Sequence, residues 1–336
     1  MDRRRALSSL AACLAGGITP GIVSQSVQAQ AVAVQSLAGR QFRFVVSYPA
    51  GGVVDFAART VADGLNQATG SLVIVENRAG AAGNIATEFV ARQPGDAGVF
   101  GVFSNSTLST NPFVPQLASK NVDPYKDLVP VAAIVDMILV LAVTPQLGVS
   151  TIDEFLAKAR SSPQPLRIGL AGIGSPHHLA ALLLEKSASL NLILVPYKGG
   201  APMIADAAGG HLDAVFTTVP VGGPMVASGK LRWIAIAQPT VINSLPGIPS
   251  LVNVFKGATI PSWVGVFAPT STPSSLVLSM HEALNQVVNS TAIAEKLRKN
   301  GLEPLDQTLA QTGKLISDEA VFMKNFLSEF NLDFSA

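Results

Sequence analysis

The sequence predicts an α/β protein with two lobes and mostly parallel sheets. Short apolar strand patterns alternate with helical patterns along almost the whole chain, and this alternation is typical of sheets covered by helices on both faces. The 336 residues suit one two-lobed protein, and 48% apolar residues are enough for a sizeable core.

The individual elements follow from apolar periodicity and from glycine and proline punctuation. Strands are expected at residues 44–47, 72–75, 99–103, 131–135, 138–143, 167–170, 193–196, 213–216, 233–237 and 264–268. Helices are expected near residues 55–68, 84–92, 152–161, 176–188, 200–208, 221–228, 274–289, 291–300 and 307–330. The apolar stretch 129–143 is interrupted by Pro130 and Asp136 and is shorter than the roughly 20 residues of a membrane span, so we interpret it as buried strands.

A glycine turn joins the first strand to the first helix. Tyr48 and Pro49 end the strand, and the turn that follows contains almost no side chain, with the order Ala50, Gly51, Gly52, Val53 before Asp55. Such a turn leaves backbone N–H groups free at a helix start, where the helix dipole adds partial positive charge. The segment is therefore a candidate seat for a small anion.

A second strand, glycine turn and helix start occur at residues 167–183. Gly174 precedes Ser175, a good N-cap residue, and Pro176, a good first helical residue. Two further strand ends belong with these seats in an α/β sheet, because ligands bind beyond the carboxyl ends of strands. They carry Ser104, Ser106 and Thr107, and Tyr197, Lys198 and Gly199.

An ordered set of motifs resembles the periplasmic solute receptors of tripartite tricarboxylate transporters, also called Bug-type receptors, over about residues 42–334. In chain order these are PAGG with Asp55, VENR with Gly80, Gly83 and Asn84, Thr107 with Asn111-Pro112, Asp123-Pro124 with Lys126-Asp127, Gly174-Ser175 with His178-Leu179, VPYKG at 195–199, Gly210 with Asp213, GKLR at 229–232, and Trp263 with Gly265 and FAP at 267–269. The chain departs from the family in places: Val53-Val54 is bulkier than the small residues common there and could narrow or dry the cleft, and Thr217-Thr218 stands where an acidic or aromatic residue is often found.

The resemblance implies the type II periplasmic binding protein fold, in which two strand crossovers form a hinge. Lobe one is then expected at 40–142 plus 266–336 and lobe two at 143–265, with the crossings near the extended segments 140–144 and 264–268. It also implies a bound acid held by backbone groups and bridging water. The chain agrees with this, since no Arg or Lys lies in residues 47–58 or 168–178.

We therefore expect a cleft between the lobes that binds a small carboxylate, either an organic acid or an amino acid. The predicted binding residues are Tyr48, Ala50, Gly51, Gly52, Val53, Asp55, Ser104, Ser106, Thr107, Gly174, Ser175, His178, Tyr197, Lys198 and Gly199. Several have a structural alternative. Asp55 and Ser175 could cap their helices, His178 could pack in the interior, and the two tyrosines could cover the lobe surface.

Residues 1–31 resemble an export signal, with Arg3-Arg4-Arg5, a short apolar segment and an Ala29-Gln30-Ala31 cleavage site. Either the Sec or the twin-arginine route is compatible with them. Cys13, the one cysteine, also fits a lipoprotein cleavage box, but the apolar run before it is very short and anchoring is disfavoured. The mature chain would keep 20 basic and 21 acidic residues, a net charge of −1.

Other classes of function are disfavoured. A near-neutral chain lacks the basic footprint of a nucleic-acid-binding protein. The four histidines show no zinc spacing, no dinucleotide or phosphate-loop motif is complete, and a G-x-S-x-G elbow is absent, so we predict no metal, cofactor or enzymatic activity. We expect a monomeric receptor that delivers its ligand to a tripartite tricarboxylate transporter permease. A receptor feeding a sensor kinase is the alternative, and a secreted hydrolase is the remote one.

Overall fold

The computed structural model describes residues 36–238, 245–256, 259–331 and 334. The predicted export signal, with Cys13, lies outside this part of the chain. The strands are β1 (Gln41–Val46), β2 (Leu72–Asn77), β3 (Val99–Ser104), β4 (Leu128–Met137), β5 (Leu139–Val143), β6 (Leu166–Leu170), β7 (Leu192–Pro196), β8 (Ala214–Thr218), β9 (Arg232–Ile236), β10 (Trp263–Pro269) and β11 (Leu302–Pro304).

The helices lie between these strands, as the alternation predicts. They are α1 (Val53–Thr69), α2 (Asn84–Ala91), α3 (Ser106–Ser109), α4 (Pro124–Asp127), α5 (Ile152–Ser161), α6 (Pro176–Ala188), α7 (Gly200–Ala208), α8 (Val219–Ala227), α9 (Ser274–Asn289), α10 (Thr291–Lys299) and α11 (Leu309–Phe330). The short helices α3 and α4 and the three-residue strand β11 have too few residues to show a period in the sequence.

Two sheets, one in each lobe, confirm the two-lobed α/β fold. The first has the strand order β11-β4-β10-β3-β1-β2, and the second has the order β7-β6-β8-β5-β9. Most strands in each sheet run the same way, but β10 and β11 are reversed in the first sheet and β5 in the second. The strands that run in the common direction of each sheet end at the cleft between the lobes. β5 and β10 each follow a crossing, so they start at the cleft and run away from it.

The chain crosses between the sheets twice, and the two crossings are joined to each other. The first crossing is at Ile138, between β4 and β5, and the second lies between β9 and β10. Gln238 accepts the Leu139 N–H at 3.0 Å and donates to the Met137 carbonyl at 3.1 Å. Met137 N–H also donates to the Ser262 carbonyl at 2.7 Å. The predicted lobe boundaries at 142 and 265 stay predictions. The chain leaves the first sheet for the second at Ile138, and it returns to the first sheet between residues 237 and 262.

The last helix, α11, provides a third link. Ile316 packs in a core cluster of lobe one, whereas Met323 and Phe326 pack in the core of lobe two. Between them, buried Glu319 accepts hydrogen bonds from Asn105 and Ser109, both at 2.5 Å, and from the Trp263 indole. Residues 309–330 therefore contact both lobes, although the sequence assigns them to lobe one.

Candidate functional site

The glycine turn of lobe one is organised by Asp55, in the first turn of α1. Gly51 has φ +81°, which suits glycine, and its N–H donates to Asp55 Oδ2 at 3.0 Å. Asp55 also accepts from Arg59 Nε at 3.0 Å and from Asn77 Nδ2 at 2.8 Å. Burial opposes ionisation of Asp55, but the bonds from Arg59, Gly51 and Asn77 outweigh it and hold its pKa below the ordinary value. Asp55 thus holds the turn in place, and it uses the Gly51 N–H, which is then not available to a ligand.

Tyr48 and the serines after β3 form a second group on lobe one. Burial raises the pKa of the Tyr48 phenol, although a hydrogen bond with Ser106 opposes the shift. Ser106 Oγ donates to Ser104 Oγ at 3.3 Å, and Ser104 Oγ donates to Asn105 Oδ1 at 3.3 Å. Thr107 lies elsewhere, on a groove of about 570 Å³ that it shares with Asn111 and Tyr125.

The glycine turn of lobe two is organised by its N-cap residue. Ser175 Oγ accepts the His178 N–H at 3.3 Å and donates to the Gly172 carbonyl at 2.7 Å. Gly174 N–H donates to His178 Nδ1 at 3.1 Å, and the His178 ring meets Phe334 edge-on at 5.3 Å. His178 is therefore an interior residue that supports the turn.

His177, its neighbour, faces the space between the lobes. Burial lowers its pKa to about 4, so the imidazole is neutral at pH 7. His177 Nδ1, Thr217 Oγ1 and Thr218 Oγ1 are buried, with no hydrogen-bond partner among the described residues. Buried polar groups are normally paired, so these three atoms suit contact with a ligand or an ordered water.

The two glycine turns line one cavity. Residues of both lobes enclose it: Tyr48, Gly52, Val53, Val54, Ser104, Met137, Ala171, Pro176, His177, Gly200, Thr217, Thr218 and Val221. Its volume is about 20 Å³, room for about one water molecule. No lysine or arginine lines it within the described ranges. A larger ligand needs the lobes to separate before they close on it.

Four helices begin at this cavity. Val53 opens α1, Pro176 opens α6, Gly200 opens α7, and Thr218 is the N-cap residue of α8 without a side-chain capping bond. First-turn N–H groups have no partner within their helix, and a helix start carries a partial positive charge of about +0.5. In three of these helices fewer such groups are free, because Ser175 Oγ accepts the His178 N–H and Pro176, Pro202 and Pro220 have no N–H. Helix starts of this kind suit an anion without a cationic side chain.

The predicted residues divide into three groups. Tyr48, Gly52, Val53 and Ser104 line the cavity. Others form the lobe boundary: a Cβ added to Gly51 would meet Ala201 Cβ at 3.6 Å, and one added to Gly199 would meet Pro49 Cδ at 2.9 Å. A Cβ on Gly174 would lie 2.3 Å from Leu117 Cδ1. The third group supports turns or points elsewhere: Ala50 and Lys198 are exposed, the Tyr197 hydroxyl donates to Asp206 at 2.7 Å, and Asp55, Ser106, Thr107, Ser175 and His178 have the contacts given above.

The remaining lining residues are not among the individually predicted binding residues, although Pro176 and His177 lie in the turn at 174–177 that the sequence predicts to line the cleft. Thr217 and Thr218 follow the same rule as the other sites, since they end a strand that precedes a helix. His177 and His178 are not distinguished by burial along α6, because residues 176–184 are all buried.

None of the helices in the described part of the chain is both long and apolar enough to cross a membrane. The comparisons with known proteins point to one family. Residues 57–332 match the model of the tripartite tricarboxylate transporter family receptor. BugT of Bordetella pertussis is 30% identical over 292 residues, which cover 86% of this chain and 88% of BugT.

Solved structures agree in fold. The R. palustris protein Rpa4515 with adipate has a TM-score of 0.83 and 28% identity, covering 88% of this chain and 98% of that one. The periplasmic binding protein BugD has a TM-score of 0.80 and 26% identity, covering 88% and 99%. The match to the family model, the relatives and the paired glycine turns agree: this chain belongs to the tripartite tricarboxylate transporter receptor family and has the fold of its periplasmic solute-binding proteins.

Proposed function

We propose that this chain is an exported periplasmic receptor that closes on a small carboxylated molecule and presents the closed form to a tripartite tricarboxylate transporter permease. The observation that carries the proposal is the convergence of four helix starts from two lobes on one cavity. Carboxylates accept hydrogen bonds from such N–H groups, and the relative Rpa4515 was solved with adipate.

The energy required is modest. A micromolar Kd corresponds to about −8 kcal/mol, which a few charge-assisted hydrogen bonds and burial of the ligand body can supply. Closure of the lobes removes the ligand from water and strengthens each of these contacts. The three links between the lobes, at Ile138, before β10 and through α11, are where the motion would be accommodated.

We favour solute binding over catalysis. A hydrolase would need the Ser175 hydroxyl aimed at a substrate with a general base beside it. Instead this hydroxyl donates to the Gly172 carbonyl and accepts the His178 N–H. It caps a helix.

Thermal-shift screening of the protein without residues 1–31, against organic acids and amino acids, tests the proposal. A ligand that binds only the folded protein stabilises it by about 2.7 kcal/mol at a hundred times its Kd, so the melting temperature should rise with concentration. Uptake of that ligand by cells with and without the gene then separates transport from sensing. No shift with any acid, together with turnover of an ester or amide substrate, would overturn the assignment.

A further inference from the structure

The two walls of the cavity differ in chemistry. Lobe two contributes the starts of α6, α7 and α8. It also contributes His177 Nδ1, Thr217 Oγ1 and Thr218 Oγ1, which are the buried polar side-chain atoms of the lining residues that lack a partner within the described part of the chain. These side chains are 6%, 1% and 0% exposed, respectively. Lobe two also lines the cavity with apolar Ala171 and Val221, and Pro176, Pro202 and Pro220 supply no N–H to its helix starts. It is nevertheless the wall whose side chains keep unused hydrogen-bonding capacity.

Lobe one faces this wall with side chains that are apolar or already bonded. Val53, Val54 and Met137 line it and are nearly fully buried. The Tyr48 hydroxyl is bonded to Ser106, and the Gly51 N–H to Asp55. The start of α1 keeps free first-turn amides, but the Asp55 carboxylate in the same turn opposes its positive end.

We propose that the ligand is a monocarboxylate with an uncharged, apolar body. Its carboxylate lies against the helix starts and hydroxyls of lobe two, and its body lies against Val53, Val54 and Met137 of lobe one. This inference rests on the proposed function and narrows the class of ligand. A second carboxylate on the body would be buried among apolar side chains, where a charge without a partner is strongly disfavoured.

The surrounding cations do not offset such a second charge. Arg59 and Lys296 lie in a neighbouring groove of about 210 Å³, and Arg59 is bonded to Asp55 there. The imidazole of His177 is neutral at pH 7, because burial lowers its pKa to about 4.

Calorimetric titration with matched pairs of acids tests the inference. The pairs are butyrate with succinate and hexanoate with adipate, which share chain length and differ by one carboxylate. The monocarboxylate of at least one pair should bind at least tenfold more tightly than its partner. Each methylene that fits against lobe one should strengthen binding about fourfold. Equal or tighter binding of the dicarboxylates would overturn the inference and leave the proposed function standing. Absence of binding by all four, and by every other acid screened, would remove both.

A pair of variants locates the ligand body. Val54→Thr keeps the side-chain shape but adds a hydroxyl to the apolar wall, and should weaken hexanoate binding about threefold to tenfold. Val321→Thr makes the same change at a side chain that is 63% exposed on α11, and should leave the affinity unchanged. Circular dichroism establishes that both variants fold. Unchanged affinity in folded Val54→Thr would show that the body does not contact lobe one, contrary to the inference.

Discussion

The turn at residues 48–55 and the turn at residues 172–178 have the same plan, a strand end followed by glycines and a helix start, yet they present different groups to the cavity. In the first, the Asp55 carboxylate folds back and takes the Gly51 N–H. In the second, the Ser175 hydroxyl caps the helix and leaves His177 facing the cleft. The capping side chain therefore decides which donors a glycine turn keeps for a ligand.

The largest expected effect concerns the protonation of His177, in the turn at residues 172–178. The folded-state pKa of His177 is about 4, below the ordinary 6.5, so the folded protein disfavours the protonated form. The contribution of His177 to the free energy of unfolding is therefore fully retained above pH 6.5, and it falls by about 3 kcal/mol as the pH drops towards 4. Urea denaturation at several pH values measures it.

His177→Gln should remove this contribution, so the difference between the variant and wild-type profiles isolates it from the opposite contributions of Asp136 and Glu319, whose pKa values are raised by burial. His211→Gln, at an exposed histidine, should keep the wild-type profile. Asp55 in the first turn acts in the same direction, but at lower pH. Its lowered pKa contributes stability that is present above the ordinary value of 3.8 and is lost only below it. An unaltered profile in His177→Gln would mean that the imidazole is not held neutral.

The next largest effect tests the contact between Pro49 of lobe one and Gly199 of lobe two. Gly199 has φ +124°, and a Cβ there would meet Pro49 Cδ at 2.9 Å across the lobe boundary. Gly199→Ala should therefore oppose closure by about 2 kcal/mol and weaken ligand binding roughly 30-fold. Gly229→Ala is the control, because it adds strain at φ +72° with no described atom within 4 Å of the new Cβ. Equal losses of affinity in both variants would contradict closure at this contact.

A smaller effect has opposite signs for binding and stability. Thr217→Val removes a buried hydroxyl with no partner in the described structure, so the ligand-free protein should gain about 1 kcal/mol while ligand affinity falls about tenfold. Thr69→Val is the matched case, because Thr69 Oγ1 donates to the Leu65 carbonyl at 2.8 Å and its loss should destabilise by about 1 kcal/mol. Chemical denaturation and calorimetry measure both quantities. Destabilisation by Thr217→Val would show that its hydroxyl is satisfied without ligand.

The smallest effect is that of the cap itself. Ser175→Ala should cost about 1 kcal/mol of stability and also weaken ligand binding, since α6 begins at the cavity. Thr308→Ala removes the cap of α11, whose side chain accepts the Gln311 N–H at 3.2 Å. It should cost a similar amount and leave the affinity unchanged. Thermal unfolding with and without ligand separates the two effects.

Much of this site is predictable from the sequence, because strand ends and glycine turns have strong local signals. These signals predict the two turns, and they predict Tyr48 and Ser104, which line the cavity. The choice between His177 and His178 depends on helical phase, since adjacent residues on a helix point about 100° apart. The use of the Gly51 amide by Asp55 depends on the rotamer of one side chain. The path of α11 across both lobes depends on packing over the whole molecule, which no local pattern encodes.

A crystal structure of the protein with a bound acid, hexanoate first, tests the central claim most directly. We expect the ligand between residues 50–53 and 174–177. Its carboxylate oxygens should lie about 3 Å from Thr217, Thr218 or the first-turn N–H groups of α6 and α8, and its carbon chain should contact Val53 and Val54. An acid bound outside this crevice, or held by the side chains of one lobe alone, would contradict the account.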